Sequence, residues 1–345
     1  MRIGSICTGL GRLDAAVAAL LSDPAIIWCA EPDPLCRKVL AMQVPPPPLL
    51  VADDEPPRLD PGPPSHLYHD ARQALDADAV DVLVGGTPCQ DLSTAGRRAG
   101  ADGERSSLLT IIPDLADRLS PMAVCWENVP GASTAPGPGG RGTALGWLVD
   151  ALTARGWAVA HTVIPASWVG APHRRRRLFL LAVPAHMTDA APRLWEGAGD
   201  LPHLQAGPLA PLSPLLPTPT ASMATGPGSQ GRQGGMNLQT AIALGRHGAC
   251  EPQLGRWAEI TGHPMPDPGQ RLTVEFAAWM MGIPPLLITQ HRPSRAAAMR
   301  AIGNSVVAEQ AAAAYWLLAQ ALAHDGWVPA SWSHARVTIT GARAS

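Results

Sequence analysis

A chain of 345 residues, 46% of them hydrophobic, can bury one large core or two ordinary ones. Its formal charge of −2 and pI near 6.6 exclude a globally basic protein, so any contact with a polyanion must come from a local basic surface. Cysteines at positions 7, 29, 36, 89, 125 and 250 form no CxxC pair, which argues against a zinc knuckle or thioredoxin-type site and for a reduced, cytoplasmic, metal-free protein.

The N-terminus carries no basic segment followed by a long apolar stretch, and no window reaches about 18 consecutive apolar residues, so a soluble, non-exported chain is expected. Arg2–Ile6 reads as a first strand; CTGLGRLD turns sharply after it, and Leu13–Leu21 continues as a helix. Ile26–Ala30 is a second strand ending at Glu31, followed by a helix over Leu35–Met42. Pro45–Pro64 is too proline-dense for helix or central strand and reads as a surface excursion. His66–His69 leads to Asp70, with a helix over Ala71–Ala77. The apolar run Val80–Val84 ends in Gly85-Gly86 and delivers Pro88-Cys89-Gln90 to a loop. Helical periodicity over Ser106–Arg118, a strand over Met122–Trp126 ending in Glu127-Asn128, a helix over Thr143–Arg155 and strands over Trp157–Ile164 and Leu178–Val183 complete the first part. This rhythm predicts an α/β fold: a doubly wound, mostly parallel, Rossmann-like sheet over residues 1–183.

From Pro184 the composition shifts to Pro, Gly, Ser and Thr, with weak periodicity at Asn237–Leu244 and Leu254–Ile260. Leu272–Pro285 suits a helix closed by Gly282 and Pro284, and Arg295–Ala323 is strongly helical. The expected division is a catalytic domain (1–183), a loop-rich inserted domain (184–292), a helix returning to the first domain (293–325) and a tail (326–345).

Three constellations carry chemistry. Gly9 and Gly11 permit a tight strand-to-helix turn, but Asp14 occupies the sixth position of a GxGxxG pattern, where a carboxylate opposes a pyrophosphate. With Glu31 placed for ribose hydroxyls and Asp70 for an adenine amino group, this favours S-adenosylmethionine over NAD, or else a well-packed turn. Cys89 and Glu127 both follow apolar strands at what should be one sheet edge. Thiolate plus acid is what an electron-poor double bond requires, although a buried structural cysteine and a turn-capping Glu127-Asn128 are the plainer readings. In HRRRRL, strand alternation puts Arg175 and Arg177 on one face and Arg174 and Arg176 on the other, which separates this run from an ordinary solvated basic face.

With CTGLGRLD, CAEPDP, GGTPCQDLSTAG, ERSSL, WENVPG, GAPHRRRRL, LTVEFAAWMMGIPP and IGNSVV in this order, the chain resembles the DNA cytosine-C5 methyltransferase family of bacteria and phages. The resemblance covers nearly all of 1–183 and 270–320; the segment between matches only in its place in the order, that of the family's target recognition domain. It implies Cys89 as the nucleophile at cytosine C6, Glu127 on N3 and the exocyclic amine, Arg177 on O2 and Arg175 in support. Cys7, Gly9, Leu10, Gly11, Glu31, Asp70, Pro88, Leu108 and Asn304 would line the S-adenosylmethionine site. Gln90, Ser93, Arg97, Arg98 and Arg105, in the segment resembling a mobile loop, and Arg232 and Gln233 in the inserted region, with Asn237, Gln239, Arg246 and Arg256, are the candidates for contacts with DNA.

The implied partner is double-stranded DNA, read by a monomer, with a cognate restriction endonuclease as a companion. Departures are Cys7 where an aromatic residue often stacks on adenine, Arg12 for a frequent glycine, and His173 for a usual Gln. An RNA methyltransferase of the same family and a non-catalytic DNA-binding relative remain as alternatives. A thiol hydrolase would need a histidine beside Cys89, and no motif points to one.

Overall fold

The computed structural model describes residues 1–42, 64–88, 106–195, 207–210, 214–225 and 236–341. Most of the proline-dense excursion therefore lies outside the described residues. β1 (Arg2–Ile6), β2 (Ala25–Ala30), β3 (His66–Tyr68), β4 (Val82–Gly85), β5 (Ala123–Asn128), β6 (Trp157–Pro165), β7 (Arg176–Pro184) and β8 (Val337–Thr340) form one sheet in the order β3-β2-β1-β4-β5-β7-β6-β8. The first five strands pair in parallel, and β5–β7, β7–β6 and β6–β8 pair antiparallel. The fold is the expected mostly parallel α/β sheet.

One expectation needs correction. Residues 326–345 are not a bare tail, because Val337–Thr340 pairs with β6 from Val159↔Thr340 to Thr162↔Val337. The reason is local: Val337 and Ile339 are half-buried while Thr338 and Thr340 are exposed, the period-two alternation of an edge strand.

Alternation also builds the core. Val82 and Val84 face one layer, where α1 (Arg12–Ala18) and α2 (Pro34–Met42) pack; Leu83, Val124 and Trp126 face the other, with α3 (Ile111–Leu119) and α4 (Ala144–Thr153). The expected helix over Ala71–Ala77 is a 3-10 turn, Ala71–Asp76. After β7 come α5 (Ala191–Leu194), α6 (Leu238–Ala243), α7 (Glu251–Thr261), α8 (Val274–Met280), α9 (Pro285–Thr289) and α10 (Arg295–Asn304). Their apolar sides, among them Leu238, Leu254, Trp257 and Phe276, join the same core as the first layer.

The last helix, α11 (Ala308–Ala323), is buried at every position but Trp316 and Gln320. Its alanines allow close approach to α1, β6 and β7, and Tyr315 meets Phe179 edge-on with ring centroids 5.7 Å apart. No helix among the described residues is long and apolar enough to cross a membrane.

Candidate active site

The strand order reverses between β1 and β4, so a crevice opens beyond their carboxyl ends, the place where open α/β sheets bind ligands. At this edge Cys7 leaves β1 with a φ of 53°, and Gly9 and Gly11 follow with φ of 60° and 72°. Glycine suits both positions, and Gly11 is the N-cap of α1. A side chain at Gly9 would meet nothing within 4 Å, so its backbone faces open space.

That space is a small, open cleft between the β1–α1 turn and Asn304–Val306. Of the residues expected to hold a cofactor, Cys7, Gly9, Leu10 and Asn304 line it; sequence reasoning missed Gly86 and Ser305 and placed Glu127 elsewhere in the site. Ser305 adjoins Asn304 in GNSVV, and Gly86 belongs to the paired glycines after β4, so the signals were within the motifs.

Glu31 is buried and accepts from the N–H of Gly9 and of Asp33, at 2.7 Å each, so it shapes the turn under the cleft. A carboxylate has about four lone-pair sites, and acceptor capacity remains for a ligand hydroxyl. Asp70 caps the 3-10 turn through the N–H of Arg72 at 2.8 Å and pairs with the Arg72 side chain at 3.2 Å. Burial first, then Glu31 and Asp70, push the Cys7 thiol up to about 12, so Cys7 stays neutral. Gly11, Glu31, Asp70, Pro88 and Leu108 are not among the residues lining this cleft; Leu108 packs against the second core layer.

The acidic end of the site is built by β5 and β7. Because β7 is antiparallel, its first residues lie beside the last residues of β5: Glu127 opposes Phe179 and Asn128 opposes Leu178. Arg177 thereby reaches Glu127 with Nε to Oε1 at 2.8 Å, both side chains mostly buried. Burial raises the Glu127 pKa, and the Arg177 and Arg175 charges pull it part of the way back. A side chain at Gly86 would come within 3.7 Å of both the Glu127 carboxylate and the Cys7 carbonyl, so the acid adjoins the cleft.

Thr87 ties the Pro88 loop to β5. Its Oγ1 accepts from Trp126 Nε1 at 2.9 Å and from Asn128 Nδ2 at 3.2 Å. Arg174 and Arg176 are exposed while Arg175 is buried, as strand alternation requires. His173, fully buried, meets the Met280 carbonyl through Nε2 at 3.0 Å; burial and the Arg175 charge lower its pKa to about 3, so it is a neutral donor.

Cys89, Gln90, Ser93, Arg97, Arg98, Arg105, Arg232 and Gln233 lie outside the described residues. In the inserted region Asn237 caps α6 and Gln239 donates to the Met223 carbonyl at 2.7 Å, so both serve packing. Arg246 is exposed, and Arg256 donates to the Ala210 carbonyl at 2.8 Å.

Residues 64–193 match the family model described as C-5 cytosine-specific DNA methylase. The match covers well under half of the chain. Over 186 residues, 53% of its length, the chain is 28% identical to the type II methyltransferase M2.BsuMI of Bacillus subtilis (strain 168), of which the match spans 42%. Over 244 residues, 57% of the chain, it is 31% identical to a DNA N-6-adenine-methyltransferase of Escherichia phage P1, of which the match spans 30%. The chain thus covers less than half of these two relatives. Its fold is similar to that of the S. pombe Dnmt2 methyltransferase, with a TM-score of 0.53 at 14% identity over 94% of this chain and 98% of that one. Methyltransferases of this family generally use S-adenosylmethionine.

Asp14, the residue that breaks the dinucleotide pattern, is fully buried in α1. Burial pushes its pKa up to about 7 against the opposing pull of the Ser5 hydroxyl. A folded pKa raised above the unfolded value means that the protonated form's stabilisation is complete below about pH 4 and is lost as pH rises toward the folded pKa. Asp14→Asn is therefore expected to lessen the fall in thermal midpoint between about pH 4 and pH 8. Thermal unfolding followed by circular dichroism checks this, and an undiminished fall would contradict it.

Proposed function

We propose that the chain is a DNA cytosine-C5 methyltransferase that uses S-adenosylmethionine and a covalent Cys89–C6 adduct. The observation that carries the reading is the Glu127–Arg177 pair, held at 2.8 Å beside a cleft walled by Cys7–Leu10 and Asn304–Ser305. The family-model match over residues 64–193 supports the same chemistry, and Cys89 follows Pro88 directly in the chain.

The cleft fits the donor in two respects. The Gly9 backbone faces open space where a ligand can approach, and Glu31, which accepts from the Gly9 and Asp33 N–H groups beneath that turn, keeps acceptor capacity where a phosphate cradle would need donors. Cys7, Gly9, Leu10, Gly11, Glu31, Asp70, Pro88, Leu108 and Asn304 are the proposed holding residues. Once bound, S-adenosylmethionine supplies an electrophilic methyl group.

Cytosine C5 is a poor nucleophile until a thiolate adds to C6. Cys89 donates that electron pair, and the ring's C5–C6 bond becomes an enamine or carbanion centred on C5. Glu127, its pKa raised by burial, protonates or hydrogen-bonds N3, and Arg177 steadies O2 while holding the carboxyl in place. Once C5 carries the methyl group, loss of its proton and expulsion of the Cys89 thiolate restore the aromatic ring. Face-on approach requires the base to leave the duplex, which costs a few kcal/mol that protein–DNA contacts must offset. Residues 184–292 are proposed to read the DNA target, and the segment with Ser93, Arg97, Arg98 and Arg105 to close on the flipped base. The type II designation of the Bacillus relative supports a cytoplasmic restriction–modification setting with a partner nuclease.

The test is bisulfite sequencing of DNA from cells expressing the wild-type chain, with nucleoside analysis of the same DNA and of transfer RNA. C5-methylcytosine at one sequence motif in DNA is the expected result. N6-methyladenine alone, methylation of transfer RNA alone or no modification would contradict the reading.

A further inference from the structure

Arg175 is 3% exposed, and its bonds run to segments far apart in sequence. Its backbone N–H donates to Thr218 Oγ1 at 3.2 Å, and Nη1 donates to the Pro219 carbonyl at 3.1 Å, both in the inserted region. Nη2 donates to the Gly303 carbonyl at 3.0 Å and to the Ser305 carbonyl, on either side of Asn304. The Arg175 carbonyl accepts from Gln310 Nε2 at 2.8 Å, in the first turn of α11.

The segment that Arg175 grips has no slack. A methyl group at Gly303 would fall 2.0 Å from the Ala221 nitrogen, so the turn before Asn304 lies directly against residues 220–221. Asn304 itself is exposed to the donor cleft, and the neighbouring Ser305 is buried in its wall. The rigid guanidinium fork suits this joint, since it presents several donors in one plane, whereas an ammonium is a single flexible point.

We propose that Arg175 is a positioning residue for the methyl donor, not for the base. It fixes Asn304 in the cleft by binding the carbonyls on both sides, and it makes donor affinity depend on how residues 218–221 are seated. The inference rests on the cytosine methyltransferase reading and assigns to Arg175 work that the sequence resemblance left as general support. Glu127 is held instead by Arg177, and Arg175 reaches that carboxyl through its field.

The experiment compares full-length wild type, Arg175→Lys, Arg175→Ala and Thr218→Val in two assays. One is equilibrium binding of S-adenosylmethionine to the DNA-bound protein. The other is donor-free exchange of tritium from cytosine C5, which reports thiolate addition and base activation without methyl transfer. Donor affinity is expected to fall about tenfold or more in Arg175→Ala, less in Thr218→Val, and to recover in part with Arg175→Lys. Tritium exchange is expected to fall by a clearly smaller factor in each.

Equal losses in both assays, or lost exchange with donor affinity intact, overturn the proposal and assign Arg175 to the base. If Arg175→Ala fails to fold by circular dichroism, Thr218→Val carries the same comparison. A wild type without exchange would refute the cytosine reading, and donor affinity across the variants would then decide the role of Arg175 alone.

Discussion

Glu127→Gln is expected to slow methyl transfer by about 10²–10⁴-fold, the usual contribution of a positioned general acid. The amide preserves the shape of the side chain and an oxygen for Arg177 Nε, so geometry survives while the transferable proton is lost. Glu127 is suited to the role because burial opposes its ionisation more than Arg177 and Arg175 favour it. The sign of the pH dependence follows. A raised folded pKa keeps the acid form to higher pH than an exposed glutamate would, and the rate falls as pH rises through that value. In Glu127→Gln this basic limb should vanish. Initial rates of radiolabelled methyl incorporation against pH, for both proteins, provide the check; a variant within a factor of about three of wild type would remove Glu127 from the chemistry.

Arg12→Gly is expected to cost about 1–3 kcal/mol of stability, because it leaves the buried Gly282 carbonyl without its charged donor and removes a cation that favours ionised Glu309. Arg12 is 4% exposed and donates Nη2 to the Gly282 carbonyl at 2.9 Å. Glu309, 7% exposed in the first turn of α11, is raised by burial and drawn down by the Arg12 charge. Gly282, with φ of 67°, lies between them, since a side chain there would come within 3.0 Å of Glu309 Oε2.

Arg12 therefore fastens the donor turn to the end of α8 and to the last helix. The double variant Arg12→Gly/Glu309→Gln should recover part of the loss, because the amide needs no counter-charge. Urea unfolding of the three proteins measures both effects. A single variant as stable as wild type, or a double variant no better than the single, would contradict the coupling.

Much of the architecture was legible in the sequence because strand and helix periods alternate cleanly through β7. Glu127 could be expected at the edge that Cys89 was also expected to reach because each follows an apolar run, and that edge is where a parallel sheet collects its loops; Cys89 itself lies outside the described residues. The antiparallel pairing of β7 that brings Arg177 to Glu127 had only the alternation of HRRRRL as a local sign. The strand at Val337–Thr340 escaped notice for the same reason: four residues with two half-buried side chains carry almost no periodicity until β6 is there to pair with.

Arg12 and Glu309 are further apart still, nearly 300 residues in sequence, and no short-range pattern links a buried base to its acid. Asp70 and Gln239 illustrate the opposite limit. Both residue types are suited to ligand contacts, yet the chain engages Asp70 in a local cap and Gln239 in a bond to a backbone carbonyl sixteen residues away.

The most direct test of the account uses duplex DNA with 5-fluorocytosine at the position found to be methylated, incubated with S-adenosylmethionine and the full-length protein. Fluorine at C5 cannot depart as a proton does, so the adduct formed at C6 cannot collapse. The account predicts a protein–DNA complex that survives denaturing electrophoresis with the wild type and is absent with Cys89→Ala. A wild-type protein that methylates ordinary DNA at that site yet is never trapped by the fluorinated duplex would contradict it.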